Sequence, residues 1–423
     1  MGNEDDGRMA PTAEDRSGTA AGTGRTGRPP GGVVRRAMRG RDPREAHRAA
    51  TPLELLFDLM FVVAVAQAAA QLHHALAEGH LDTALTGYPA VFFAIWWAWL
   101  NFAWFASAYD TDDVPYRLLT LVQMAGVLVL AAGVRPAFED GDFAAVVAGY
   151  VIMRAVMITQ WLRAAAGHPE GRTAALRYAA GVAAVQAGWI ARLWAPGAWA
   201  WLTFLALVSA ELAVPVWAEY RGRPTAWHAG HIAERYGLFT LIVLGEVILA
   251  ALTAVESAVS ERGVSGDLVM IAVGGLLLVF SLWWIYFTGA DPALTSLRAA
   301  LAWGYGHYLV FASVAALGAG LETALDVAEH RAHLSTRTAA LSVAVPVVLV
   351  LLTLYVLHRL THTGAVGHPL LVIAGAAVVA ALALAAPAIG AAAAVLGMGL
   401  TVAATLTANL VAVHRGTPPG EEA

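Results

Sequence analysis

The sequence of 423 residues has no cysteine, and all 26 of its basic residues are arginines. The absence of cysteine excludes disulfides, thiol nucleophiles and cysteine-ligated metals. The absence of lysine excludes a lysine Schiff base and the P-loop, which requires that residue. Charged residues make up only 13% of the chain, against about 25% in soluble proteins, while hydrophobic residues make up 58%. This composition indicates a polytopic membrane protein.

Residues 1–50 form a polar segment that carries ten of the arginines. The segment has no apolar periodicity, which predicts a disordered tail. It also lacks the short apolar core of a signal peptide. We expect this arginine-rich tail to enforce membrane topology, and binding to anionic lipid is the alternative role.

Twelve apolar segments are long enough to cross a hydrocarbon core of about 30 Å, which requires about 20 residues. Only a tight turn near Pro387 and Gly390 separates the last two, so ten or eleven spans remain possible. The segments lie near 52–76, 84–107, 115–137, 143–166, 173–193, 198–219, 229–254, 267–289, 298–321, 337–358, 369–388 and 391–413. The predicted fold is therefore an all-α transmembrane helix bundle.

The distribution of arginine sets the predicted orientation, because loops rich in arginine stay in the cytoplasm. Both chain ends are predicted to be cytoplasmic, with the helices in the cell membrane. The predicted organisation is a tail, two six-helix halves and a short second tail. Their boundaries are 1–50, 51–220, 221–415 and 416–423.

Similar segments recur about 180 residues apart and suggest an internal repeat. LLFDLMFVV from Leu55 resembles GLFTLIVLG from Gly237, and each precedes a helix with a tryptophan pair. The repeated features are Trp96-Trp97 with Trp283-Trp284, and the loop pairs Asp110/Arg117 with Asp291/Arg298. An even number of helices per half predicts parallel repeats about an axis along the membrane normal.

Charged residues inside the predicted spans are the candidate functional groups. Glu54 and Asp58 are four residues apart on one helix face, where like charges repel and require an outside cation or a shared proton. His231 and Arg235 lie at a similar predicted depth on the seventh span. We therefore predict that these two pairs meet.

Other charges lie deeper, where an unpaired charge costs several kcal/mol. Arg154 lies at the middle of the fourth span, and its depth leaves Glu211 and Glu246 as candidate partners. Glu234 lies to the side of the stripe formed by the other polar residues of the seventh span. Gly245, beside Glu246, predicts close backbone approach. Such ion pairs can also serve helix packing alone, but as a set these residues favour a substrate or proton pathway.

Other chemistry finds little support in the sequence. His228, His231 and Glu234 span more than about 100° of helix, so they do not converge on one metal ion. We expect no metal, no cofactor and no catalytic motif. The tail lacks interleaved aromatic residues, so we expect no nucleic-acid binding. Helix packing is the predicted role of Trp96, Trp97 and Trp99, whereas an interfacial belt best explains Trp104.

Three long segments resemble the signatures of the bacterial low temperature requirement protein A (LtrA) family. They are PLELLFDLMFVVAVAQ from Pro52, WWAWLNFAWFASAYD from Trp96 and HIAERYGLFTLIVLGE from His231. The resemblance covers residues from about 50 to about 410 and implies a multi-pass membrane protein, without an established reaction or substrate. The resemblance implies that eight residues are candidates for functional roles: Glu54, Asp58, Asp110, Arg117, His231, Glu234, Arg235 and Glu246.

The sequence departs from the family pattern in two places. Leu56-Phe57-Asp58 replaces the usual Phe-Phe-Asp, and Gly245-Glu246-Val247 replaces the usual Gly-Glu-Ser. The second departure removes a hydroxyl that would bond to the Glu246 carboxylate.

These features favour a secondary transporter or permease with titratable groups near the midplane, which suit coupling to protons. Its substrate is a small molecule or ion that the sequence does not identify. Two alternatives remain open. One is a membrane-embedded enzyme that acts on a lipophilic substrate. The other is a scaffold that senses the state of the lipid. A polar cavity that reaches water favours the transporter, and an apolar pocket open to lipid with an acid at one end favours the enzyme.

Overall fold

The computed structural model describes residues 34–45, 48–195, 197–220, 225–288, 292, 294–361 and 367–416. These residues form helices and no strand, which confirms the predicted all-α bundle. The helices are α1 Pro52–Ala77, α2 Leu81–Tyr109, α3 Val114–Ala132, α4 Val134–Glu139, α5 Ala144–Gly167, α6 Arg172–Arg192, α7 Ala200–Glu219, α8 Ala229–Arg262, α9 Gly266–Phe287, α10 Leu297–Ala328, α11 Thr336–Thr361, α12 Pro369–Ile389 and α13 Ala391–Gly416. Short 3₁₀ turns at Pro169–Gly171 and Gly197–Trp199 flank α6.

Eleven of the helices in the described part of the chain are long and apolar enough to span a membrane. The predicted fifth span, 173–193, does form a helix, α6, but it is not among these eleven. Its hydropathy is low because Arg172, Arg177 and Arg192 lie among alanine and glycine residues. The short helix α4 is an addition that the apolar pattern did not predict.

The two sets of helices share part of their order of neighbours, but α9 packs closely on α13, and no comparable contact joins α2 and α7 among the described residues. In the first set, α1 packs on α2 and α3, α3 on α5, α5 on α6 and α6 on α7. In the second set, α8 packs on α9 and α10, α10 on α11, α11 on α12 and α12 on α13. The environments of the tryptophan pairs differ, since Trp96 and Trp97 are buried while Trp283 and Trp284 are exposed. The internal repeat therefore stays a prediction that part of the packing order supports.

The end of the predicted tail is bonded to the bundle. We call residues 34–45 and 48–50 the strap. Its Arg48 guanidinium donates to the carbonyl oxygens of Ala106, at 2.7 Å, and Ser107, at the end of α2. The Arg41 N–H donates to the Ala108 carbonyl at 3.0 Å. The expectation of disorder therefore does not hold for the strap, because the carbonyl groups at the end of α2 accept hydrogen bonds from it.

Glycine allows close helix packing between α3 and α5. A methyl group at position 149 would lie 2.8 Å from Cα of Leu130, and one at position 126 would lie 3.0 Å from the carbonyl oxygen of Gly149. Small residues at such contacts let membrane helices approach closely. Gly245 differs from its prediction, because a methyl group there would meet no atom within 4 Å.

We predict that Gly149→Ala lowers the melting temperature of the purified protein, because α3 and α5 must separate at a cost of about 1–3 kcal/mol. Gly245→Ala is the matched control. It should leave the melting temperature unchanged or raise it slightly, since alanine favours helix more than glycine does. Thermal unfolding in detergent measures both, and equal effects of the two substitutions would contradict the packing argument.

Candidate functional site

Four charged residues form a buried cluster between α1 and α8, which we call the strap-end cluster. It consists of Glu54, Asp58, His231 and Arg235, each with less than 1% of its surface exposed. Arg235 binds both oxygens of Asp58, with Nη2–Oδ1 at 2.5 Å and Nε–Oδ2 at 3.1 Å. Its Nη1 lies 3.2 Å from Glu54 Oε1, and His231 Nε2 lies 3.2 Å from the same oxygen. The two predicted pairs do meet, and the cation between the acids is Arg235.

Local structure fixes both acids of this cluster. Glu54 belongs to a capping box, in which its Oε2 accepts from the Thr51 N–H at 2.7 Å and the Thr51 hydroxyl accepts from the Glu54 N–H. The Trp99 indole donates to Asp58 Oδ1 at 2.7 Å. Trp99 also stacks on Phe239 of α8, with ring centroids 4.4 Å apart. Sequence reasoning gave Trp99 a packing role and missed its bond to a buried carboxylate.

The strap and the start of α8 cover this cluster. The Ala50 N–H donates to Glu234 Oε1 at 3.3 Å, which places Glu234 beside the cluster. The His228 N–H donates to the Ser107 hydroxyl at 3.0 Å, and its Nε2 lies 2.8 Å from the Glu45 carbonyl. These contacts therefore cover the strap-end cluster on the side of the bundle where α8 begins.

Arg154 is held in a separate buried cluster within the first set of helices. Its Nη2 lies 3.5 Å from Glu211 Oε2, so Glu211 is its partner and Glu246 is not. Glu211 also accepts from Trp97 Nε1 at 2.7 Å, the Tyr150 hydroxyl at 3.1 Å and Trp189 Nε1 at 3.3 Å. Arg154 in turn donates to the Tyr150 oxygen. With four donors, the Glu211 carboxylate is fully hydrogen-bonded and fixed in place.

Glu246 has no comparable partner. Among the described residues, no side chain forms a hydrogen bond or ion pair with it, and it is half-buried on α8. It lies 11 residues beyond Arg235, which is about 16 Å along the helix. One turn further, Ala250 meets Gly318 of α10, and Glu322 lies within electrostatic range of Glu246. Glu246 is thus an unpaired carboxylate near the middle of the span.

A second cluster links the opposite end of α1 to α10, and we call it the far-end cluster. His73 Nδ1 lies 3.1 Å from Glu322 Oε2, and its Nε2 lies 2.8 Å from Asp326 Oδ2. Arg331 binds Asp326 at 3.3 Å and reaches the Ser257 hydroxyl of α8 at 3.3 Å. His73 is 15 residues beyond Asp58, or about 22 Å along α1. Sequence reasoning missed this cluster, although matched depth at the far ends of the first and ninth spans was an available signal.

The loop residues Asp110 and Arg117 do not form an ion pair with each other. Arg117 binds Asp112 at 2.7 Å instead of Asp110. Asp110 is buried below the strap, with its Oδ2 3.9 Å from Arg41 Nη1. Asp291 lies outside the described residues, and Arg298 is exposed at the start of α10. The arginines that act on Asp110 are Arg41 and Arg48 of the strap, in place of an ion pair with Arg117.

The other tryptophan predictions have mixed outcomes. Trp97 packs inside the bundle as expected, but it also binds Glu211. Trp104 donates to the Tyr236 hydroxyl at 3.1 Å and contacts the Trp227 ring, so it belongs to the protein interior more than to an interfacial belt.

An apolar cavity of about 240 Å³ lies between α8, α9 and α10. Glu322 lines one part of it, and the rest of the lining is aliphatic. Ile248, Leu252 and Leu276 line it and are about half exposed, so it opens on the outer surface of the bundle.

The fold and the buried charges define a multi-pass helical membrane protein with an ionised helix interface. Residues 49–405 match the family described as bacterial low temperature requirement A protein (LtrA). The chain therefore belongs to the LtrA family, as the three motifs predicted. Its orientation in the membrane stays a prediction.

The comparisons with individual proteins add one distant relative. An uncharacterized protein of Rhizobium meliloti (strain 1021) is 29% identical over 243 residues, which cover 55% of this chain and 57% of that protein. The match thus spans little more than half of the relative's length. No solved structure matches the chain.

We predict that Asp58→Leu destabilises the protein by about 3–5 kcal/mol, because Arg235 would keep a buried charge without its main partner. Adding Arg235→Met should restore part of this loss. Arg135→Gln, which breaks an exposed ion pair with Glu139 within α4, is the control and should have little effect. Thermal unfolding tests the series, and a double variant no more stable than Asp58→Leu would contradict the coupling.

Burial raises the pKa of Asp110 to about 6, and Glu54 acts in the same direction against Arg48 and Arg41. The ordinary pKa is 3.8, so the folded state holds this proton more tightly and loses stability as pH rises from about 4 to 6. We predict that Asp110→Asn is more stable than wild type at pH 8, by up to about 3 kcal/mol. The difference should disappear below about pH 4. Melting temperatures across pH test this, and a variant less stable than wild type at pH 8 would refute it.

Proposed function

We propose that this protein is a secondary transporter that uses protons as a coupling ion, with Glu246 as the proton-binding group. The observation that supports this most is the unpaired Glu246 carboxylate on α8, between two ion-pair clusters. A charge inside a membrane helix is expensive, so such a group either finds a partner or binds a proton. Among the described residues Glu246 has no partner, which favours the proton.

The two clusters lie at opposite ends of α1, which are suitable positions for two gates. The strap-end cluster joins α1 to α8, and the far-end cluster joins α1 to α10 and, through Arg331, to α8. Both lie where the first set of helices meets the second. Alternating access requires contacts at each end that open in turn.

The degree of burial indicates which gate is closed more tightly. The strap-end cluster is fully buried, whereas the His73, Glu322 and Asp326 side chains keep 26%, 19% and 20% of their surface exposed. Aromatic side chains fill the interior next to the strap-end cluster, where Trp99, Phe239 and Phe311 pack together. In this proposal, water reaches Glu246 from the far end first.

A matched pair of variants on one helix tests the role of Glu246. Wild type in proteoliposomes with a trapped pH dye should dissipate a pH gradient faster than empty vesicles. Glu246→Gln should lower this rate at least about tenfold, because glutamine cannot exchange a proton. Glu256→Gln, an exposed position of α8, should keep the wild-type rate.

A carrier that moves protons only together with its substrate would show no flux in this assay. Infrared spectroscopy tests Glu246 in that case. A carboxyl band that changes with pH in wild type and in Glu256→Gln, but is absent from Glu246→Gln, is the expected result. Equal flux and identical infrared titration in the two variants would refute the proposal.

A second candidate is the enzyme acting on a lipophilic substrate, which the apolar cavity between α8, α9 and α10 favours. Its acid, Glu322, is bound to His73 in the far-end cluster. Incubation with a lipid extract, followed by mass spectrometry, distinguishes this candidate. A product formed by wild type and lost in Glu322→Gln, without proton flux, would favour the enzyme.

A further inference from the structure

A surface groove of about 610 Å³ lies between the strap and the end of α5. The strap contributes Arg35, Arg36 and Met38 to its lining, and α5 contributes Leu162 and Arg163 among others. The groove is at the same end of the bundle as the strap-end cluster, where α5 ends. One side of it is basic and the other is largely apolar.

The basic side carries two available guanidinium groups. Arg35 and Arg36 are exposed, and their side chains have no partner among the described residues. The third arginine, Arg163, is already bound to Asp113, with Nη2 2.9 and 2.7 Å from the two carboxylate oxygens. The free positive charge of the groove therefore comes from Arg35 and Arg36.

The apolar side belongs to the outer face of a candidate membrane span. Thr159, Leu162 and Ala166 line the groove, are exposed, and follow one another at helical spacing. Ala155, one turn earlier, is exposed on the same face and continues the stripe toward the middle of α5. In a membrane, this stripe faces the acyl chains of the lipid.

The two sides are held together by buried contacts. The Arg36 N–H and the Tyr116 N–H each donate to Asp113 at 2.9 Å, so Asp113 ties the strap to α3 and, through Arg163, to α5. Burial alone would raise the pKa of Asp113, but these hydrogen bonds outweigh it and lower that pKa. Met38 is buried against Gly167, where a methyl group would lie 2.7 Å from the Met38 nitrogen.

We propose that this groove binds one anionic phospholipid. Arg35 and Arg36 hold the headgroup phosphate, and an acyl chain lies along Thr159, Leu162 and Ala166. Basic residues next to the end of a membrane helix attract anionic lipid. The apolar stripe continues from the basic side and provides a surface for an acyl chain. A free phosphate ion has no acyl chain and would not use this surface. The site is independent of the proposed transport function.

Native mass spectrometry of the full chain in detergent tests the site. The protein is titrated with phosphatidylglycerol and with phosphatidylcholine of the same acyl chains. Wild type should bind one phosphatidylglycerol more tightly than phosphatidylcholine. Arg35→Gln/Arg36→Gln should weaken the phosphatidylglycerol affinity roughly 10- to 30-fold, since each arginine near the phosphate contributes about fivefold.

The matched control removes the same charge elsewhere at this end of the bundle. Arg298→Gln/Arg359→Gln changes two exposed arginines of α10 and α11 and should keep the wild-type affinity. Leu162→Asn should weaken the binding of long-chain phosphatidylglycerol several-fold. The melting temperatures without lipid establish that all variants are folded.

Three results would overturn the proposal. One is an equal loss of affinity in the two double variants, which would indicate general surface charge. Another is unchanged binding in Arg35→Gln/Arg36→Gln. The third is displacement of phosphatidylglycerol by millimolar inorganic phosphate, which would assign the groove to a phosphate ion.

Discussion

The contact of Arg235 with Asp58 and Glu54 is the constraint on which the rest of the structure depends. All three side chains are buried in a helix interface, where one unpaired charge would cost several kcal/mol. The acids belong to α1 and the cation to α8, so neither set of helices satisfies its own charge. The pairing therefore requires the two sets to meet, and it fixes the register of α1 against α8. Trp99 of α2 donates to Asp58 of α1 and stacks on Phe239 of α8, so it packs against both helices of this contact.

The strap follows from the same requirement at the boundary of the membrane. The last carbonyl groups of α2 lie at the helix end, and the Arg48 guanidinium donates to two of them, Ala106 and Ser107. The strap also brings the Ala50 N–H to Glu234, beside the strap-end cluster. Arginine suits this position because its planar group donates several hydrogen bonds while remaining charged. An arginine-rich segment that composition alone marks as solvated thus becomes part of the folded bundle over its last residues.

Much of this architecture could be predicted from the sequence, and the main failures concern which helices lie side by side. Apolar length gave the helices, and depth gave the meeting of Glu54 and Asp58 with His231 and Arg235. Depth and helix face do not give the direction in which neighbouring helices lie. Two acids therefore remained for Arg154, and only packing selected Glu211. The far-end cluster was missed for the same reason, since His73 and Asp326 are distant in sequence and met only through the packing of α1 on α10. Indole donors carry no charge, so no sequence signal assigned Trp97 and Trp99 to carboxylates.

Glu211 and Glu246 show why burial of an acid does not by itself indicate function. Both are glutamates on membrane helices, and from the sequence both were candidate partners of Arg154. Glu211 accepts hydrogen bonds from four side chains, including a guanidinium, so both of its oxygens have partners and its position is fixed. Glu246 has no partner within the described chain, and the nearby Glu322 has the same sign of charge. A negative charge at Glu246 is therefore opposed by both its surroundings and its neighbour. Binding of a proton removes that cost. In the proposed transport function, a proton gradient would therefore change the protonation of Glu246.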